Sequence, residues 1–163
     1  LEPKIFQDTN TIKDSIQNIK LLGRYQVVKS NPEIILDVAH NEDAAKKLKS
    51  NIEKYPKKKT RAVIGVLKDK DVYSLVKPLI PIIDKWYCGT INSERGMNAQ
   101  EISSRLTVAS KNSNVEKFDT MSDAFSKVLA ESLYDERIII YGSFYTVSEF
   151  FQYSNSFKKA LNE

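Results

Sequence analysis

Short apolar runs recur along this chain, and each is followed by a segment whose apolar residues fall at helical spacing. "EIILDVA" (33–39), "RAVIGVL" (61–67), "DKWYCGT" (84–90) and "RIIIYGSFY" (137–145) have the near-continuous apolar character of strands buried on both faces. A strand covered on both faces needs helices above and below it, and the helical segments between these runs supply them. The expected fold is therefore α/β: a Rossmann-like, three-layer domain with a mostly parallel sheet of about six strands and helices on both faces.

Local signals place the remaining elements. "RYQVVKS" (24–30) reads as a first strand, turned at Asn31 and Pro32 into the second. "NEDAAKKLKSNIEKY" reads as a helix capped by Asn41, with Glu42 and Asp43 in the first turn where the dipole favours acids, and Ala44, Ala45, Leu48 and Ile52 as its apolar stripe. Asp69 or Asp71 opens the next helix, through Leu75, Val76 and Leu79, which ends at Pro78 and Pro81. Asn98 with Glu101 forms a capping box for "NAQEISSRL". The strand "VEKFD" and the helices "TMSDAFSKVLAES" and "TVSEFFQY" complete the pattern. Residues 1–20 are polar, with Ile12, Ile16 and Ile19 at helical spacing; they read as a linker or leading helix, and residues 21–163 as one domain.

Composition narrows the classes. No apolar run approaches the roughly 20 residues of a membrane helix, and Ile80–Ile83 and Ile138–Tyr141 read as buried core. The single Cys88 lies in an apolar strand and reads as a core thiol in a reducing, cytoplasmic protein. The chain starts with Leu1, has no leader pattern, and reads as a piece of something longer. The net charge of +4 is concentrated in "KYPKKKT" and its neighbours, which read as a solvated connection; with no recognition-helix or aromatic-basic signature, nucleic acid is not an expected partner.

No glycine-rich phosphate loop follows any strand, one His and one Cys cannot make a usual metal cluster, and "GSFY" is not a nucleophile elbow. A self-sufficient nucleotide hydrolase or dehydrogenase is thereby excluded. What remains lies at the carboxyl ends of strands, where parallel sheets bind ligands. Asp37 can accept from ribose hydroxyls, or simply hold a turn. His40, at a helix start, can offer a neutral ring that donates to a phosphate or carboxylate, or serve structure alone. Arg24 has a fork suited to a phosphate, or to a surface ion pair. Ser143 and Tyr145, after Gly142, can point polar groups over the sheet edge, or cap the last helix.

In combination, "LLGRYQ", "ILDVAHNEDAAKKL", "VIGVLKDKD", "ERGM" and "YGSFYTVSEF" occur in the order and at about the spacing of the C-terminal domain of the folylpolyglutamate synthases, some of which are also dihydrofolate synthases. The chain resembles that family from about Leu21 to Phe151. The wider group is the Mur ligases, several of which have a related Asp-Tyr-Ala-His segment; Asn41 after His40, and the "GSFYTVSE" ending, resemble the folate branch. Leu22 stands where the family usually has Pro, and Glu42 where Pro often follows the Asn; both lie beside the motif residues.

The resemblance implies a two-domain, ATP-dependent amide ligase whose N-terminal ATPase domain, with the glycine loop and the Mg2+ ligands, is not in this chain. It implies nucleotide contacts from Arg24, Asp37 and His40, a catalytic role for His40, and a glutamate seat at Ser143 and Tyr145, with no metal ligand here. The implied partners are ATP, L-glutamate, a (tetrahydro)folate or dihydropteroate, and the ATPase domain, in a cytoplasmic monomer; the domain alone is expected to be inactive. The competing readings are a muramyl-peptide ligase domain, a receiver-like binding domain, and a basic nucleic-acid module.

Overall fold

The structure, a computed structural model, describes residues 23–160. The predicted linker at 1–20 lies outside them. Strands β1 (Gln26–Ser30) and β2 (Glu33–Asp37) form an antiparallel hairpin across a cis Asn31–Pro32 bond. Helix α1 (Glu42–Ile52) follows, capped by Asn41, whose side chain accepts from the Ala44 N–H. Then come β3 (Thr60–Ile64), α2 (Val72–Val76), a single 3-10 turn (Ile80–Ile82), β4 (Lys85–Gly89) and α3 (Ala99–Ala109). Strand β5 (Val115–Phe118), α4 (Met121–Glu131), β6 (Arg137–Tyr141) and α5 (Phe144–Ala160) complete the domain.

The strands form one sheet in the order β1-β2-β6-β3-β4-β5, parallel except for β1. The three-layer expectation holds, and the alternation of strand side chains shows why. Ala62, Ile64, Trp86, Cys88, Ile139 and Tyr141 face one side, packing with Leu48 and Ile52 of α1, Leu75 and Val76 of α2, and Ile102 and Leu106 of α3. Their neighbours Leu36, Val63, Tyr87, Ile138 and Ile140 face the other, against Met121, Phe125 and Val128 of α4 and Val147 and Phe150 of α5. Phe125 meets Phe150 edge to face at 5.2 Å, which locks α4 to α5. Each fully buried Ile, Leu or Phe contributes about 1.5–3 kcal/mol by removal from water.

Several local readings differ from the structure; the helix expected to run through Leu79 ends at Val76. Ile80–Ile83, expected in the core, forms a half-buried turn, because Pro81 in a 3-10 turn points part of the run outward. Arg24 precedes β1 instead of starting it, since Gly23 and Tyr25 have positive φ (74° and 43°) that a strand excludes. The last strand stops at Tyr141, and the terminal helix begins two residues earlier than expected, at Phe144. Gly142, at φ 115°, turns the chain sharply there.

Candidate functional site

The connection after β2 leads to α1 on one face of the sheet, and the connection after its neighbour β6 leads to α5 on the other. Where successive helices depart to opposite faces, the carboxyl ends of the strands are left open as a crevice. Residues 37–41 and 142–145 border it. A cleft of about 420 Å³ is lined by Arg24, Tyr25, Asp37, His40, Lys47 and Asn51. A pocket of about 270 Å³ on the other side of His40 is lined by Lys70, Arg95, Ser143 and Tyr145 among others. Between them, His40 and Lys70 also border a shallower hollow with Asp69 and Asp71. His40 thus touches every part of the crevice.

Asp37 is buried at the end of β2, and both its oxygens are engaged: Oδ2 accepts from the Tyr25 N–H at 2.8 Å and Oδ1 from the Ala39 N–H at 2.7 Å. Burial raises its carboxyl above the usual carboxylate range, opposed by those two N–H groups and by the Arg24 charge. The Val38 N–H also donates to the Gly23 carbonyl at 2.5 Å. The side chain expected to meet ribose therefore clasps the Gly23–Tyr25 turn, and through it fixes where Arg24 leaves the backbone. Tyr25, on the same turn, stacks on Tyr55 at 6.1 Å.

His40 is exposed, with Nδ1 3.0 Å from the Val38 carbonyl. A carbonyl only accepts, so Nδ1 carries the proton in this bond. The outward Nε2 of the neutral ring is then an acceptor. In this arrangement donation from Nε2 to a phosphate or carboxylate requires the imidazolium, whereas the neutral ring accepts there.

Ser143 is buried and caps α5, its Oγ accepting from the Thr146 N–H at 3.1 Å and lying 2.9 Å from Thr146 Oγ1. Thr146 Oγ1 gives its single proton to the Gly65 carbonyl at 2.9 Å, so the Ser143 hydroxyl must donate to Thr146. Ser143 is left with acceptor capacity alone. Tyr145 stays exposed at the rim, and the first-turn N–H groups of α5 face the same edge as an anion-favouring helix start.

Two cations at this rim were not singled out in the sequence. Lys70 pairs with Asp69 at 2.8 Å, and Arg95 reaches the same carboxylate at 3.7 Å. The loops that carry them are joined by an isolated Leu67–Gly96 bridge and by the Lys68 N–H donating to the Arg95 carbonyl at 2.9 Å. Gly96 permits that junction, since a Cβ there would lie 1.9 Å from the Ile91 carbonyl oxygen. "KDKD" and "ERGM" lie some 25 residues apart, so their meeting is a property of the fold; the only sequence signal was that both follow strand ends.

A metal has no donor set here. Among the described residues no three His, Cys, Asp or Glu side chains converge, Asp69 is paired with cations, and Asp71 caps α2 through the Tyr73 N–H. Cys88 is a buried thiol. No helix among the described residues is long and apolar enough to cross a membrane.

Comparison with known proteins locates this arrangement. The chain is 34% identical over 140 residues to the dihydrofolate synthase/folylpolyglutamate synthase of Escherichia coli K12, a match covering 85% of this chain and 32% of that protein. Its fold superposes on E. coli FolC in complex with DHPP and ADP with a TM-score of 0.85 and 31% identity, over 95% of this chain and 36% of that one. A bifunctional folylpolyglutamate synthase/dihydrofolate synthase with Mn, AMPPNP and L-glutamate bound matches at a TM-score of 0.79 and 30% identity, over 91% of this chain and 35% of that one. The chain thus spans about a third of the length of these relatives. Residues 23–144 match the family described as Mur ligase, glutamate ligase domain, a span that contains every strand, the crevice apart from Tyr145 and the first residue of α5, and the chain belongs to that family.

Proposed function

We propose that this chain is the C-terminal domain of an ATP-dependent ligase that adds L-glutamate to a folate or dihydropteroate, with residues 21–163 as the domain and 1–20 as a linker or leading helix from an N-terminal ATPase domain. The observation that carries the reading is the gathering of Arg24, His40, Lys47, Lys70 and Arg95 around one crevice at the carboxyl end of the sheet. Such a rim suits substrates rich in phosphate and carboxylate. The relatives support the choice of substrates: the ligands named with them are ADP, AMPPNP, DHPP and L-glutamate.

The reaction class follows from the chemistry of amide formation. A carboxylate takes the terminal phosphoryl group of ATP, and the resulting acyl phosphate gives the amine a good leaving group to displace. Arg24 and Lys47 line the larger cleft and offset phosphate charge; Asp37 holds Arg24 in place and retains lone pairs toward a nucleoside hydroxyl. In the smaller pocket, Lys70, Arg95 and the α5 N-terminus receive glutamate carboxylates, Tyr145 walls the rim, and Ser143 accepts from the ammonium. His40 stands between the two, its Nδ1 held by the Val38 carbonyl and its Nε2 presented outward, where a neutral ring is suited to take a proton from the attacking amine. Mg2+ supplies charge neutralisation at the phosphates, and its ligands are assigned to the ATPase domain. The enzyme is read as a cytoplasmic monomer. Closure of the two domains excludes water, which would otherwise hydrolyse the acyl phosphate.

The deciding experiment uses the two-domain enzyme and follows ADP release. Release is expected to require both a folate and glutamate, and His40→Ala and Asp37→Ala to lose most of the rate while folded. The 163-residue chain alone is expected to be inactive. Turnover that needs a muramyl peptide refutes the folate assignment, and ligation by the isolated chain refutes the division between domains.

A further inference from the structure

At the amino end of the sheet, the opposite end of β6 from residues 142–145, lies a second basic cavity of about 290 Å³. Its lining includes Tyr55, Lys57, Lys58, Thr60 and Arg137, with Glu53 at one side. Arg137 opens β6 and is only 2% exposed. Its Nε donates to Glu33, while its Nη2 is buried with no hydrogen-bond partner among the described residues.

A buried guanidinium N–H without an acceptor is costly, and such groups are normally satisfied by protein, water or ligand. The local charges leave room for an anion. Glu33 is shared between Arg137 and Lys58, the latter at 3.9 Å, and Glu53 is drawn away by Lys49 at 3.6 Å. Lys57 is exposed and free to fold over the cavity mouth. Lys59 does not contribute, because it pairs with Glu136 at 3.1 Å outside this cavity. Tyr55, in the cavity wall, stacks on Tyr25, which lines the crevice, so the two sites are neighbours along α1.

We propose that this cavity is an oxyanion site, in which Arg137 with Lys57 and Lys58 binds a phosphate or carboxylate group independently of the crevice. The planar fork of a buried arginine suits an oxyanion edge, and the two lysines add charge without fixed geometry.

Titration of the chain with inorganic phosphate at constant ionic strength, followed by backbone amide NMR shifts, tests this. Saturable shifts are expected around residues 55–60 and 137. Lys57→Ala/Lys58→Ala is expected to weaken binding at least fivefold, and Arg24→Ala/Lys70→Ala, which strips the crevice, to leave these shifts unchanged. A parallel titration with glutarate tests a carboxylate; saturation by either anion at this cavity supports the site. Arg137→Gln, where circular dichroism shows it folded, is expected to abolish saturation, and the lysine pair decides the matter should it not fold. Shifts confined to the crevice, no saturation by either anion, or unchanged affinity in the lysine variant would overturn the proposal.

Discussion

Replacing Glu136 with Gln should cost the domain about 3 kcal/mol at pH 7, and progressively less in acid. Glu136 is buried beside Arg61, whose Nε donates to Oε2 at 2.8 Å and whose Nη2 lies 3.4 Å from Oε1. The Leu133 N–H donates to Oε2 at 3.1 Å, and Lys59 sits 3.1 Å from Oε1. Burial alone would raise the carboxyl, but Arg61, the Leu133 N–H and Lys59 outweigh it and hold the group at about 2. A value depressed from 4.5 by about 2.5 corresponds to roughly 3 kcal/mol of stability, fully present above pH 4.5 and lost as pH falls toward 2. Breaking one side of a buried pair costs about 3–5 kcal/mol, and Gln keeps one acceptor, so the lower figure applies. By the same linkage, wild type has lost about 2 kcal/mol of this contribution at pH 3. Urea unfolding of both proteins at pH 7 and pH 3 measures the gap directly. A gap below about 1 kcal/mol at pH 7, or one that does not narrow at pH 3, refutes the argument.

Asp37 should behave in the opposite sense: its carboxyl is raised by burial, so its ionic form opposes folding and its contribution falls as pH rises through its folded value. Asp37→Asn, which keeps one acceptor for the two N–H donors, should therefore cost about 1–2 kcal/mol less than Asp37→Ala in urea unfolding at pH 7; equal costs would show that the clasp is unimportant. Gly142→Ala combines a positive φ with a Cβ 2.4 Å from the Gly65 carbonyl oxygen, and should destabilise by about 2–4 kcal/mol, with a loss below about 1 kcal/mol contradicting it. Cys88, whose thiol burial pushes up to about 12, should react with iodoacetamide at pH 8 about a thousandfold more slowly than after unfolding, and prompt labelling of folded protein would contradict its place in the core.

The layers of this fold were legible because each depends on neighbours in sequence. Ile138–Tyr141 is apolar throughout, so it had to be a central strand, and Asn41 and Asn98 each precede a helix whose first-turn N–H they accept. The misread junctions are those where backbone geometry outranks side-chain character. Phe144 and Tyr145 have strand propensity, yet Gly142 turns the chain and Ser143 caps a helix over them. Asp71 caps α2 while Asp69 pairs with Lys70 and Arg95, a choice between two acids that spacing alone left open. The charged cluster of Arg61, Tyr87, Glu131 and Glu136 was invisible because its members are up to 75 residues apart.

The two ends of the sheet divide the polar work, and that division says which crevice residues are free to meet a ligand. Along the Arg61 network, Glu136, Glu131, Lys85 and Lys59 are matched with one another, so this part of the amino end serves stability. At the carboxyl end the matching is incomplete. Asp37 and Ser143, two of the candidate ligands read from the sequence, have most of their capacity turned inward: one clasps a turn, the other caps a helix. His40 has one nitrogen committed and one presented, Arg24 is held at the cleft by the clasp beneath it, and Lys70 and Arg95 share a single carboxylate. The groups left over are therefore cations and one acceptor nitrogen, carried on loops whose backbones are fixed by the acids and hydroxyls under them. Substitution of Asp37 should consequently weaken anion binding through Arg24, and the two residues should fail additivity in a double-mutant cycle on nucleotide affinity.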